Sequence, residues 1–186
     1  MGEGRAKTAF ELAMEKVAEM PKLNSEELSE ERRKESIEKG EAIAQRYLQS
    51  TQRKTDIKTE IKVFSPEQEK TGKLAALNCL SQTLSLIQPE LNLHILEGMV
   101  AINPAISINT ASEQLDKIIK TFHEELNGAF ASVELSEIKR IKDEGIAGSA
   151  VKPNLRASSV WQQKQAELSA VHSGKLSEFQ KTLLPK

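Results

Sequence analysis

The sequence predicts an all-α protein, a helical bundle with a charge-poor central hairpin and amphipathic helical arms at its N- and C-terminal ends. Three observations carry this reading. Apolar residues recur every three to four positions through most of the chain, the spacing that gathers them on one face of a helix. Polar caps stand three residues ahead of a Glu or Gln at Asn24/Glu27, Ser65/Gln68 and Thr110/Glu113, the pattern of a capping box. Only one segment alternates polar and apolar residues, and a lone strand would leave its backbone groups unpaired.

Taken in order, Phe10, Ala13, Met14 and Val17 form the apolar stripe of a first helix, which Pro21 closes. The next helix opens with a charged run from Glu26 to Glu38 before Ile37, Ala44, Tyr47 and Leu48 restore an apolar face. A helix that is polar all round at its start is solvent-exposed there. Between Lys54 and Phe64, Ile57, Thr59, Ile61 and Val63 alternate with charges, yet Ile57, Ile61 and Phe64 also fit a helix. With no partner strand in the chain, helix or irregular structure is expected, and a strand paired across a homodimer is the alternative.

Ser65-Pro66 then starts a strong helix, since Pro is preorganised for the first turn. Its stripe is Leu74, Leu77, Leu80 or Ser81, Leu84 and Ile87, and Pro89 ends it. A further helix from Pro89 to about Ala101 turns Leu91, Ile95, Leu96 and Met99 inward, and Asn103-Pro104 breaks it. Thr110 caps a helix carrying Leu115, Ile118, Ile119, Phe122 and Leu126, which Asn127-Gly128 is expected to stop. A shorter helix bears Val133, Ile138 and Ile141 and ends at Gly145. Ser159 with Gln162 caps the last helical region, with Val160, Trp161, Leu168 and Val171, then an interruption at Ser173-Gly174, then Leu176, Phe179 and Leu183.

The domain organisation that follows is an N-terminal amphipathic arm over 1–53, a central helical core over 54–144, a linker or extended loop over 145–158, and a C-terminal helical segment over 159–186. Between Leu74 and Ser112 only Glu90 and Glu97 carry full charges, which marks the centre of the bundle.

Composition excludes several function classes. The chain has 26 Lys and Arg against 27 Asp and Glu in 186 residues, a net charge of −1. Nucleic-acid binding draws its affinity from a basic excess, so a nucleic-acid partner is not expected. Arg53, Lys54, Lys58 and Lys62 are interleaved with Asp56 and Glu60 and read as a mixed-charge face. The charge-free stretch Gly98 to Ser112 is too short and polar to span a bilayer. Glu3, Glu11, Glu15 and Glu19 interrupt the region where a signal peptide would need its apolar core. A cytoplasmic protein is expected, and the lone Cys79 fits a reducing compartment.

Glu90, His94 and Glu97 fall at i, i+4 and i+7 and so share one helix face. Such a trio is a candidate for metal or acid–base chemistry, but di-iron bundles use Glu-x-x-His twice with two further carboxylates. Here the order is reversed and occurs once, so no metal, catalytic residue or cofactor is expected. Cys79 has no positioned base in sequence, and neither a nucleophile elbow nor a phosphate loop occurs. Candidate partner-binding residues are the apolar ones on the terminal arms: Phe10, Val17, Tyr47, Leu48, Trp161, Leu168 and Phe179.

The run Ala9-Phe10-Glu11-Leu12-Ala13-Met14-Glu15-Lys16, then Leu23 to Glu27, then Gly40 ahead of Ala42-Ile43-Ala44 and Tyr47-Leu48, resembles a family of short, helical bacterial proteins of unknown function. The resemblance covers about the first quarter of the chain. It implies a bacterial cytoplasmic protein and brings no catalytic or binding residues with it. The expected function is a non-enzymatic helical module for protein interaction or self-assembly, with a protein partner or homo-oligomer. The alternatives are a metal-dependent or acid–base helical enzyme centred on Glu90, His94 and Glu97, and an accessory subunit of a nucleic-acid-associated complex.

Overall fold

The computed structural model describes residues 8, 10, 14, 25–49, 57–146, 148 and 153–185. The described chain is helical, without a strand among the described residues. By contact it divides into two compact units, Met1–Glu35 and Ser36–Lys186.

Helix α1 (Ser25–Gln49) runs across that division. In the first unit, Phe10 and Met14 are helical and exposed, and α1 is exposed from Glu26 to Glu35, as its unbroken charge demands. In the second unit α1 buries Ser36, Gly40, Ile43, Ala44 and Tyr47. The spacing of four, three, one and three is a single helical stripe made of small residues at its start and large ones at its end.

The second unit continues with α2 (Ile57–Ile61), α3 (Pro66–Gln82), α4 (Pro89–Ile102), α5 (Ile108–Asp143) and α6 (Ser159–Thr182), with a 3-10 turn at Leu155–Ala157. The helical reading of 54–64 holds for its described part. Ile57, Ile61 and Phe64 are buried while Val63 is 74% exposed, which a strand with both ends of the alternation inward would not give. Arg46 on α1 fixes this short helix by donating from Nε and Nη2 to Glu60 Oε2 at 3.1 and 2.8 Å.

Pro66 occupies the first turn of α3, as expected. The capping box is altered, however: the Ser65 hydroxyl donates to Gln68 Oε1 and accepts no bond from the helix backbone. The buried face of α3 is Gly72, Ala76, Leu77, Leu80 and Ser81. Leu74 and Ile87, placed on that stripe from the sequence, are 41% and 79% exposed. The helix face is centred on the small residues Gly72 and Ala76, and the helix ends at Gln82, so Ile87 falls in the turn beyond it. That turn is fastened by buried Asn92, whose Nδ2 donates to Ser85 O at 2.8 Å while its Oδ1 accepts from Ser85 N at 2.9 Å.

Helix α4 buries Ile95, Leu96, Met99 and Ile102, while Leu91 is half-buried. With Leu80 and Leu115 these residues form the middle of the main core. The charge-poor hairpin expected from the sequence is thus the centre of the bundle.

Two expected breaks do not occur. Asn127-Gly128 lies inside α5, a single helix of 36 residues that starts at Ile108, with Ser107 rather than Thr110 as its cap. Glycine costs a helix interior only about 1 kcal/mol relative to alanine, less than the packing on either side of it. The chain turns at Gly145 instead, where φ is +80°, the left-handed conformation glycine adopts without strain. Likewise Ser173-Gly174 lies within α6, whose cap is Ser158: its Oγ accepts from Trp161 N.

Helix α6 packs along α5 and also meets α3. Its inward stripe is Trp161, His172, Leu176 and Phe179, continued by Leu183. The C-terminal segment is therefore part of the second unit's bundle and not a separate arm. Trp161 belongs to a small second cluster with Val133 and Leu155, and its ring and that of Phe130 meet edge to face with centroids 5.0 Å apart.

Candidate functional site

The sequence-predicted trio is dispersed by its environment. Glu90 and Glu97 are exposed on α4, whereas His94 is half-buried. Its ring stacks on Tyr47 of α1, with centroids 4.2 Å apart and planes 12° from parallel. The Tyr47 hydroxyl donates to the His94 carbonyl at 2.9 Å and lies 3.2 Å from its Nδ1. Nε2 faces the Tyr47 carbonyl at 3.4 Å, near the C-terminal end of α1. Both ring nitrogens are therefore directed at one residue, and the contact ties α1 to α4.

The stack needs Gly98. A Cβ there would lie 2.4 Å from Tyr47 Cε1, far inside carbon–carbon contact distance. Burial, with the Glu97 carboxylate adding to it, pushes the Tyr47 phenol up to about 12, so the hydroxyl stays a donor at neutral pH.

A second histidine, not singled out from the sequence, is more deeply set. His172 on α6 is fully buried, and its Nε2 lies 3.0 Å from Glu125 Oε2 on α5. A carboxylate only accepts, so Nε2 carries the proton. Nδ1 has no hydrogen-bond partner among the described residues, and the ring is tilted against Phe122. The bond from His172 holds the Glu125 carboxyl below the usual carboxylate range; burial opposes this, and the His172 and Lys175 charges add to it. His172 was legible as a stripe position, four residues before Leu176 and seven before Phe179.

His123 is exposed, and its neighbour Glu125 serves His172 rather than His94. Among the described residues no group of three or more His, Cys, Asp or Glu is placed to hold a metal ion. Cys79 is half-buried against the main core, and burial together with Glu41 pushes its thiol up, away from the thiolate that nucleophilic chemistry uses.

The residues read as partner-binding separate into three groups. Tyr47, Trp161 and Phe179 are buried within the second unit, while Leu48 and Leu168 are half-buried. Phe10 is 73% exposed, with Met14 one turn on at 57%. Val17 lies outside the described residues. Helix α6 carries a second apolar row facing outward, Val160 and Val171, at 56% and 55% exposure.

No helix among the described residues is long and apolar enough to cross a membrane. No protein-family model matches the chain, and no curated protein or solved structure is significantly similar to it.

Proposed function

We propose that this chain is a non-enzymatic helical interaction module that binds a protein partner or a second copy of itself through its N-terminal stripe. The observation that carries the reading is the exposed pair Phe10 and Met14, at helical i, i+4 spacing. An amphipathic helix lays such a stripe into an apolar groove, and aromatic and Met side chains are enriched at the cores of interfaces. The histidines support the same reading from the other side, since His94 is directed at Tyr47 and His172 is buried beside Glu125.

The test is the solution mass of the full chain by sedimentation equilibrium, alone and in complexes isolated from its native host. The expected result is a defined oligomer or a stoichiometric protein complex that a Phe10→Glu/Met14→Glu variant reduces to the monomer. A wild-type chain that stays monomeric and unaccompanied, or a complex indifferent to that variant, would overturn the reading.

A further inference from the structure

A groove of about 500 Å³ lies in the second unit between α3 and the chain beyond the ends of α4 and α6. That volume is in the range of small-molecule sites, roughly 300–1,000 Å³. Its walls are apolar: Leu74 and Leu77 from α3, Ile102 and Pro104 from the end of α4, and Pro185. Among the described lining residues only Lys70 and Lys73 are ionised.

The two lysines differ. Lys73 is paired with Glu69, one turn earlier on α3. Lys70 makes no ion pair among the described residues, so its ammonium is the uncompensated charge of the groove. Asn103 adds an amide whose Oδ1 accepts from Ala105 N, leaving the amide N–H groups as donors. A second cavity, of about 340 Å³ beside α2, is not equivalent, because Arg46 in its lining is already neutralised by Glu60.

Along α3 the lining runs from Lys70 to Leu77, about 10 Å at 1.5 Å per residue. One end is thus cationic and the other apolar. We propose that this groove binds a small amphipathic anion, an alkyl chain of medium length ending in a carboxylate, with the chain against Leu77 and Ile102 and the carboxylate at Lys70. The complementarity is in both charge and direction: among the described residues no carboxylate pairs with Lys70, and the apolar walls shield an alkyl chain from water. This binding does not depend on the N-terminal stripe.

Calorimetric titration of the full chain with decanoate, decanol and decyltrimethylammonium tests it, since the three share a chain and differ in charge. The expected result is saturable one-to-one binding of decanoate, weaker binding of decanol and none of the cation. Lys70→Met should weaken decanoate about tenfold, the worth of a charge-assisted hydrogen bond, and leave decanol unchanged. Leu74→Trp, at a wall position 41% exposed, should block both, with helicity checked by circular dichroism. Equal binding of decanoate and the cation, decanoate binding unmoved by either variant, or no saturable binding would each overturn the proposal. So would a groove that takes only a peptide with an apolar C-terminal carboxylate.

Discussion

Replacing Gly40 and Gly128 separately by alanine should move stability in opposite directions. An ideal Cβ on Gly40 would lie 2.2 Å from the Gly72 carbonyl oxygen, 3.0 Å from Ala75 Cβ and 3.1 Å from Gly72 C. Ordinary carbon contacts sit at about 3.5–4.0 Å, so α1 and α3 must separate by roughly 1 Å. The obstacle is backbone and cannot turn aside as a side-chain tip would. Overpacking of this kind costs about 1–3 kcal/mol, and a backbone clash belongs at the upper end. Alanine returns about 1 kcal/mol as the better helix former, leaving a net loss of about 2 kcal/mol. At Gly128, inside α5, a Cβ would meet nothing within 4 Å, so only the propensity gain remains, about 0.5–1 kcal/mol. Urea unfolding followed by far-UV circular dichroism reads the difference. With a slope of about 2 kcal/mol/M, the Gly40→Ala midpoint should fall by about 1 M and the Gly128→Ala midpoint rise by about 0.4 M. A Gly40→Ala midpoint at or above wild type refutes the close crossing of α1 on α3. A Gly128→Ala midpoint well below wild type refutes the continuous helix and restores the stop at Asn127-Gly128.

Three further outcomes are expected. Tyr47→Phe removes the hydroxyl that donates to the His94 carbonyl and should cost about 1 kcal/mol at neutral pH. Because the folded phenol is raised to about 12, its contribution is complete below the unfolded value near 10 and is lost as pH rises towards 12; the Phe variant should lack this alkaline loss when urea midpoints are compared across pH. Asn92→Ala leaves both Ser85 backbone groups without their buried partner and should cost about 2–4 kcal/mol, measured as a lowered thermal midpoint. For Glu125, whose folded carboxyl is held low by His172, the contribution is present above the unfolded value near 4.3 and fades as pH falls through the lowered folded value. The stability gap between wild type and Glu125→Gln should therefore close in acid, and a gap independent of pH would contradict the pairing.

What the sequence disclosed was mostly periodicity. The stripes of α4 and the central place of the charge-poor segment follow from spacing and charge alone, and Pro66 and Pro89 mark true helix starts. The failures have a common physical origin. Asn127-Gly128 and Ser173-Gly174 are poor helix formers, but local preference amounts to about 1 kcal/mol, and packing on both sides of each pair outweighs it. Gly40, Gly72 and Gly98 were not readable as contact points, because their value lies in what another element places against them: a carbonyl, the Phe64 ring and the Tyr47 ring. The candidate site was misjudged for a related reason. Glu90, His94 and Glu97 do occupy one side of α4, but a neighbouring tyrosine takes the imidazole. His172, a polar residue within an apolar stripe, is the histidine that the interior encloses.

Helix α5 is about 54 Å long at 1.5 Å per residue, and it is gripped at two places by unequal hands. Ala111, Leu115, Ile119 and Phe122 anchor its first half in the large core, while Val133, with Ala129 and Phe130 beside it, anchors the second half to Leu155 and Trp161. Gly128, with no side chain of its own, stands between these grips. A beam held firmly at one end and lightly at the other yields first at the light end, since weakly packed regions open at lower free energy than the global core. The chain's single tryptophan sits in the lighter grip. Its fluorescence should therefore report release of the far end of α5 at lower urea than helicity reports collapse of the bundle. In this molecule the two optical signals are two separate gauges, one for the tip of the beam and one for its root.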